Sequence, residues 1–177
     1  MSWQNLTWLF FHKLTLNQEK GNNLYFKKFF CAFKSIIPCS ICRDHYNEMI
    51  QNENQNISNN AEKMNLFNWT VDIHNSVNLM HGKRKWSYKE ARKYYRSTFL
   101  TPTLTKEFIM QYIFYNYRKG PEKTRNLIEM TEALLYIFPR HHVRHKLIEF
   151  HKKFPVTKEN YQKWITAILL IIRKEMK

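Results

Sequence analysis

The scarcity of glycine is the feature that most restricts the fold of this chain. Only 3 residues are glycine and 5 are proline, in a chain of 177 residues. β-Sandwiches need many turn residues, and Rossmann folds need glycines in their phosphate loop, so both classes are excluded. Hydrophobic residues make up 44% of the sequence, which is enough to build a core. We therefore predict an all-α protein.

Apolar residues recur at helical spacing along nearly the whole chain, and prolines and glycines separate the periodic segments. This pattern predicts about nine helices, the first two at about residues 2–16 and 24–37. Pro38 ends the second helix and opens a third that reaches about residue 51. The asparagine-rich residues 52–60 are predicted to form an exposed loop. The later helices are predicted at about residues 62–81, 87–99, 106–118, 122–138, 140–154 and 158–174.

Two local signals mark the ends of the fifth helix. Ser87 and Glu90 have the spacing of a capping box, in which each side chain bonds the backbone N–H of the other residue. Pro102 is expected to close this helical unit. We therefore place a first domain at residues 1–100 and a second helical bundle at residues 104–177.

Basic residues outnumber acidic residues by 29 to 14, which gives a formal net charge of +15. Such an excess raises the question of a nucleic-acid or anionic-membrane partner. The charge is spread evenly over both halves of the chain, however, and AT-rich codons explain part of the lysine content. We therefore expect no specific nucleic-acid partner.

The cysteines bear on the cellular compartment. Three cysteines do not make the disulfide framework of a secreted protein. Met1–His12 lacks the basic segment of a secretory leader, and no stretch reaches the roughly 18 apolar residues of a membrane span. We therefore expect a soluble protein of a reducing compartment. Cys31, among the aromatic residues of the second helix, is predicted to be buried as a small hydrophobic residue.

A CxxC motif, Cys39 to Cys42, follows Pro38 in the first turn of the third helix. The helix dipole and the free N–H groups at that end favour a thiolate, and the spacing allows a disulfide within one turn. The same two cysteines could bind zinc together with His45 and a distant histidine. The motif alone therefore leaves thiol–disulfide chemistry and zinc binding open.

The fourth predicted helix carries a row of polar residues, His74, Asn75 and Asn78, which we expect on one face. A buried polar row needs a polar partner. A flat cofactor with a hydrogen-bonding edge and phosphates would suit this row. Gly82 and Lys83 follow the row in the sequence. The row therefore favours a redox site over a zinc site.

Five motifs, in this order, resemble those of the Erv/ALR family of flavin-dependent sulfhydryl oxidases. They are W-x-x-x-H at Trp8–His12, an aromatic second helix at Phe29–Phe33, P-C-x-x-C at Pro38–Cys42, W-x-x-x-x-H-N-x-V-N at Trp69–Asn78, and G-K at Gly82–Lys83. The resemblance covers residues 3–95 and implies a helical bundle that binds FAD. Because no cysteine follows Cys42, the chain is most similar to the compact forms encoded by large DNA viruses.

The resemblance implies a role for each matching residue. Cys42 would lie against the isoalloxazine and pass electrons to it, and Cys39 would be the sulfur that substrate thiolates attack. His45 and Trp86 would lie near the adenine, and Lys83 would reach the phosphates. The full set of cofactor contacts implied is Trp8, His12, His45, Trp69, His74, Asn75, Asn78, Lys83 and Trp86.

The function implied is a thiol oxidase that makes disulfides in substrate proteins, passes the electrons to O2 and releases H2O2. The substrate would be a thioredoxin-like protein or a virion protein, in the host cytoplasm and the virion. The alternative from another class is a zinc-stabilised basic helical module that binds nucleic acid. Our interpretation includes no metal site, at the histidines of residues 141–151 or elsewhere.

The second bundle has features of a degenerate copy of the first. Ile37–Arg43 aligns with Phe138–Arg144, and Trp69–Ile73 aligns with Trp164–Ile168, but both cysteines are missing. Chance similarity between two helical bundles is the alternative. If the repeat is real, the copy is catalytically inactive and forms a pseudo-dimer with the first bundle, with a homodimer through another surface still open. The contacting face is predicted to contain Phe108, Tyr112, Ile113, Leu127, Met130 and Leu134.

Overall fold

The computed structural model describes residues 2–51, 56–117 and 119–177, and within these residues it contains α-helices, one short 3-10 turn and no strand. The all-α prediction is confirmed. The helices are α1 (Trp3–Thr15), α2 (Asn23–Ile36), α3 (Ser40–Gln51), α4 (Ile57–Glu62), α5 (Leu66–Met80), α6 (Tyr88–Ser97), α7 (Pro102–Asn116), α8 (Pro121–Ile137), α9 (His141–Lys153) and α10 (Tyr161–Glu175).

Local sequence signals account for most helix ends. The capping box is present: Ser87 Oγ accepts from the backbone N–H of Glu90, and the Glu90 carboxylate accepts from that of Ser87. α6 ends before Pro102 as expected, but Pro102 also occupies the first turn of α7, so this helix begins at Pro102 and not near residue 106 as predicted. Proline is tolerated there since its missing N–H would have no helical partner. Thr101 caps this helix by accepting from the Leu104 N–H.

The asparagine-rich segment also differs from its prediction. Residues 57–62 form α4 instead of a loop: the Asn56 side chain caps this helix, and Ile57 and Ala61 are buried against the core. Residues 52–55, the rest of that predicted loop, lie outside the described residues. The helix predicted from residue 62 begins instead at Leu66, after a turn in which Met64 has a φ of 55°.

An aromatic cluster at the junction of α1, α2 and α5 forms the centre of the first bundle. Phe11 meets Phe30 and Phe33 edge to face, with ring centroids 4.9 and 4.8 Å apart. Phe30 in turn meets Trp69 of α5 edge to face at 4.8 Å. These rings are at most 2% exposed, so they hold the three helices that surround the candidate site.

The C-terminal helices lie against the outer side of this bundle. Phe108 of α7 stacks on Phe10 of α1 with ring centroids 4.0 Å apart, and α8 packs along the length of α2. Five of the residues predicted for this face are buried and Ile113 is partly buried. Among the described helices, none combines the length and apolar character that crossing a membrane requires.

Cys31 is exposed, so the prediction that it is a buried hydrophobic residue is wrong. It lies on α2 between the buried residues Phe30 and Ala32, but its own position points away from the core. The reason is helical periodicity: the buried row follows Phe26, Phe29, Phe30 and Phe33, at steps of three and four residues, and Cys31 falls outside it.

Candidate active site

A cavity of about 730 Å3 opens between α1, the start of α3 and the C-terminal half of α5. This volume lies within the roughly 300–1,000 Å3 that is usual for cofactor and ligand sites. The predicted site residues that line it are Trp8, Cys39, Cys42, His45, His74, Asn78 and Lys83. Phe33 of the aromatic second helix lines it as well, so the fold gathers residues from all five motifs around one opening.

The two cysteines form a disulfide in the first turn of α3, with their Cα atoms 5.2 Å apart. The Cys42 backbone N–H donates to Cys39 Sγ at 3.2 Å. After reduction, this N–H and the positive end of the helix dipole would favour the thiolate at Cys39. Cys42 packs against the hydrophobic core, whereas the neighbouring Ile41 is 81% exposed. Both cysteines are half-buried, and Cys42 is the one that packs against the core.

A flat aromatic wall borders the cavity on the side of α1 and α5. The rings of Trp8 and His74 are nearly parallel, with 7° between their planes and 4.2 Å between their centroids. His12 lies behind them and is 1% exposed, with its Nε2 atom 3.1 Å from His74 Nδ1. The wall thus presents an indole and an imidazole, and a buried second histidine holds the imidazole.

A chain of hydrogen bonds lies behind this wall and joins Thr70, His12 and His74. Thr70 Oγ1 donates to the Phe67 carbonyl at 2.8 Å and lies 3.1 Å from His12 Nδ1. We assign the single proton of this hydroxyl to the Phe67 carbonyl, and with that assignment the oxygen of Thr70 accepts from the His12 Nδ1–H. His12 Nε2 then accepts from the His74 Nδ1–H. His74 Nε2 is left as an unprotonated acceptor.

Both histidines are neutral near pH 7. Burial, with a smaller effect of His74, holds the pKa of His12 well below its ordinary value. Burial and the nearby Lys83 lower the pKa of His74 from 6.5 to about 4. The wall therefore brings no positive charge of its own to the cavity, and Lys83 at the edge is the cation placed to meet an anionic group.

Four predicted cofactor residues lie outside the cavity wall. His12 and Trp69 are buried behind it. Asn75 donates to the Trp86 carbonyl at 2.9 Å and accepts from the Trp86 N–H at 2.8 Å. The expectation that Asn75 shares a face with His74 and Asn78 is therefore wrong, because one residue turns the helix by about 100°. Its side chain instead holds the loop that follows α5.

The Trp86 side chain likewise makes its contacts away from the cavity. Its ring meets Tyr94 edge to face at 5.2 Å, and the Arg84 guanidinium lies 5.4 Å from its centroid. The sequence reasoning also missed lining residues, among them Trp3, Tyr46 and Met49. The two on α3 follow Cys42 by four and seven residues, so helical periodicity could have found them.

The side chains around the cavity bear on the two kinds of cofactor that the sequence left open, zinc and a flat organic group. Within residues 2–51, 56–117 and 119–177, no three His, Cys, Asp or Glu side chains are grouped as metal ligands, so Cys39, Cys42 and His45 do not form a zinc set. FAD fits the donor set better. The cavity offers a planar aromatic wall, an acceptor nitrogen on His74, a cation at Lys83 and a disulfide at its mouth.

Comparisons with known proteins point the same way. A model of the Erv1/Alr family matches residues 5–96, just over half of the chain. A probable FAD-linked sulfhydryl oxidase of Acanthamoeba polyphaga mimivirus is 32% identical over 104 residues, which cover 56% of this chain and 72% of the relative. No solved structure matches the chain.

Proposed function

This chain belongs to the Erv1/Alr family, and on that premise we propose that it is a FAD-linked sulfhydryl oxidase that makes disulfides in substrate proteins and uses O2 as the final electron acceptor. One observation carries the proposal: the Cys39–Cys42 disulfide opens onto the same cavity as the Trp8–His74 wall. A thiol-exchange site and a site for a flat cofactor are therefore adjacent, as electron transfer between them requires.

The first half of the reaction takes place at the two cysteines. A substrate thiolate attacks Cys39 Sγ, which breaks the Cys39–Cys42 bond, forms a mixed disulfide and releases Cys42 as a thiolate. A second substrate thiolate then attacks the substrate sulfur of that mixed disulfide. The substrate leaves with its new disulfide, and Cys39 leaves as a thiolate beside the Cys42 N–H. Two electrons now reside on the cysteine pair.

FAD, when bound, would accept these two electrons and deliver them to O2, which with two protons gives H2O2. Trp8 and His74 would hold a flat ring system, and His74 Nε2 would accept a hydrogen bond from it. Lys83 would pair with phosphate oxygens. Asn78, 7% exposed on the cavity wall, would supply a further polar contact. His45 lies on the α3 side of the same opening.

The decisive experiment measures cofactor and turnover together. The purified chain is expected to be yellow, with one FAD per chain, and to consume O2 and release equal amounts of H2O2 when given a dithiol. A colourless protein that contains one zinc ion per chain would instead support the nucleic-acid-binding alternative. A yellow protein that releases no H2O2 would contradict O2 as the acceptor.

The substrate class follows from the exposed side of the redox pair. Ile41, between the cysteines, is 81% exposed and offers an apolar contact beside the disulfide. We propose a protein dithiol, from a thioredoxin-like or a virion protein, in the host cytoplasm and the virion. A Cys42→Ser variant expressed in the native setting should trap this partner at Cys39. Recovery of only small-molecule thiols on Cys39 would contradict a protein substrate.

We also propose that residues 104–177 are a degenerate second copy that forms a pseudo-dimer with residues 1–100. The helix order supports this: α7, α8, α9 and α10 follow one another as α1, α2, α3 and α5 do. The turns agree as well. α2 ends one residue before Ile37–Pro38, α8 ends one residue before Phe138–Pro139, and the capping residues have ψ angles of 124° and 132°.

The contacts between α2 and α8 have the reciprocity of a twofold interface. Pro38 and Pro139 are 101 residues apart, and the same shift relates Tyr25 to Asn126 and Ser35 to Tyr136. Tyr25 stacks on Tyr136 with centroids 3.8 Å apart, and the equivalent pair is also in contact, since Asn126 Nδ2 donates to Ser35 Oγ at 2.5 Å. Such reciprocal pairs are typical of an isologous interface.

Removal of residues 104–177 tests the pseudo-dimer. The truncated chain would expose Phe10 and the outer face of α2, which α7 and α8 cover in the full chain. Aggregation or a new dimer is therefore expected in size-exclusion chromatography. A truncated protein that stays monomeric, soluble and fully active would contradict the proposal.

A further inference from the structure

One side chain from the C-terminal half reaches the backbone just ahead of the redox pair. Asn116, the last residue of α7, is 2% exposed. Its Nδ2 atom donates to the Ile36 carbonyl at 2.8 Å and to the Tyr112 carbonyl at 2.9 Å. Ile36 is the last residue of α2, two positions before Pro38. Asn116 itself lies outside the residues that the family model matches.

The end of α2 needs such a donor. The last carbonyls of a helix have no partner within the helix, and Pro38 cannot supply an N–H. Ile36 and Ile37 are both buried, so water is a poor substitute there. The structure provides two side chains instead: Asn116 donates to the Ile36 carbonyl, and Arg43 Nη1 donates to the Ile37 carbonyl at 3.0 Å.

These two bonds anchor the backbone that leads into Cys39. Only Ile37 and Pro38 separate the end of α2 from Cys39, and the ring of Pro38 leaves this connection little freedom. If the Ile36 carbonyl loses its donor, the last turn of α2 can shift, and Cys39 Sγ shifts with it relative to the Cys42 N–H. That N–H, at 3.2 Å, is the donor that favours the Cys39 thiolate.

We propose that Asn116 is a positioning residue for the redox pair, which it holds in its reactive geometry through the Ile36 carbonyl. The inference rests on the proposed function and extends it, because it makes the C-terminal half part of the frame of the active site. A second contact from the same helix supports it. Tyr112 Oη lies 2.6 Å from Oγ1 of Thr7, which lines the cavity, so α7 braces both the α1 wall and the turn before Cys39.

The test compares two asparagine-to-leucine changes in the full-length holoprotein. Asn116→Leu keeps the size of the side chain but removes the donor to the Ile36 carbonyl. Asn126→Leu makes the same change at the same interface, where the lost partner is the side chain of Ser35. The rate of alkylation of Cys39 is measured by mass spectrometry in the anaerobically reduced proteins across a pH series.

Asn116→Leu is expected to slow the alkylation of Cys39 near pH 7 about threefold and to shift its pH profile upward, because the thiolate loses part of its stabilisation. Asn126→Leu is expected to keep the parental profile. Should Asn116→Leu fail to fold, Asn116→Ser is measured instead, because the shorter serine side chain cannot reach the Ile36 carbonyl.

The outcomes separate the inference from the function on which it rests. A parent protein whose Cys39–Cys42 pair cannot be reduced by a dithiol and reoxidised would contradict the proposed function. A parent protein that cycles, with an Asn116 variant whose Cys39 profile equals the parental one, would overturn the positioning role alone. An equal shift in the Asn126 control would also overturn it, because the effect would then be general loosening of the interface.

Discussion

Arg144 of α9 donates from Nη2 to both carboxylate oxygens of Glu19, at 2.8 and 2.9 Å, and so joins the C-terminal helices to the connection between α1 and α2. The arginine side chain is 8% exposed, whereas that of Glu19 is 56% exposed. The pair thus joins a mostly buried cation to a half-exposed anion. Loss of the carboxylate charge would leave the buried guanidinium without its counter-charge.

Glu19→Gln is therefore expected to destabilise the protein by about 1–2 kcal/mol, because a buried guanidinium loses its counter-charge. The free energy of unfolding in urea measures the effect. Glu62→Gln is the matched control, since Glu62 pairs with Lys27 at an exposed site, and its loss should cost about 0–1 kcal/mol. Equal losses in the two variants would contradict the importance of burial at Arg144.

Replacement of the cysteines should separate turnover from cofactor binding. Cys39→Ser and Cys42→Ser are each expected to abolish dithiol-dependent O2 consumption while FAD stays bound, because Trp8, His74 and Lys83 remain in place. Cys31→Ser, at an exposed position on α2 outside the CxxC motif, is the control and should retain parental turnover. If either active-site variant oxidises dithiols at the parental rate, the assigned electron path is wrong.

The Thr70–His12–His74 chain should influence how tightly FAD is held. Thr70→Val preserves the shape of the side chain but removes the acceptor for His12 Nδ1, so the tautomer of His74 is no longer fixed. We expect FAD to dissociate about 5–10 times more readily, the equivalent of one hydrogen bond. Ultrafiltration followed by flavin absorbance measures this.

Thr131→Val provides the control for that comparison. Thr131 is 1% exposed on α8 and donates to the Leu127 carbonyl at 3.0 Å, so the change removes a buried hydroxyl far along the chain from the wall. It should lower stability without loosening FAD. A Thr70 variant that retains FAD as the parent does would refute the assigned role of the chain.

The neutral state of His74 predicts how stability depends on pH. Its pKa is lowered from 6.5 to about 4, so between these values the unfolded chain binds more protons than the folded one. The contribution of His74 is therefore complete above about pH 6.5 and is lost as the pH falls towards 4. In His74→Gln the decline of Tm over this range should become shallower. His141→Gln, at an exposed position, is the control and should retain the parental decline. If the Tm of His74→Gln depends on pH as the parental Tm does, the assigned role of His74 is wrong.

Much of the local structure follows from neighbouring residues along the chain. Pro38 separates α2 from α3 because a proline lacks the N–H that a helix interior needs, and the capping box at Ser87 begins α6 through bonds between residues three apart. The same kind of reasoning places Cys39 and Cys42 within one helical turn. For this reason the redox pair and the all-α class could be predicted without the structure.

The directions of other side chains depend on contacts between distant parts of the chain. The sequence predicts that Asn75 faces the cofactor, yet its side chain bonds the backbone of Trp86. No local pattern predicts which loop returns to that face of α5. Asn116 gave no signal in the sequence because its partner, the Ile36 carbonyl, is 80 residues away.

The sequence by itself therefore determined the helices, their caps and the dithiol at the start of α3, because these depend on backbone hydrogen bonds between residues a few positions apart. Only the tertiary structure decided which side chains form the wall, which stand behind it and which helix braces the Pro38 turn. Those outcomes depend on how buried faces of different helices satisfy one another's polar groups, and Asn116 and Ile36 meet only once α7 has packed against α2.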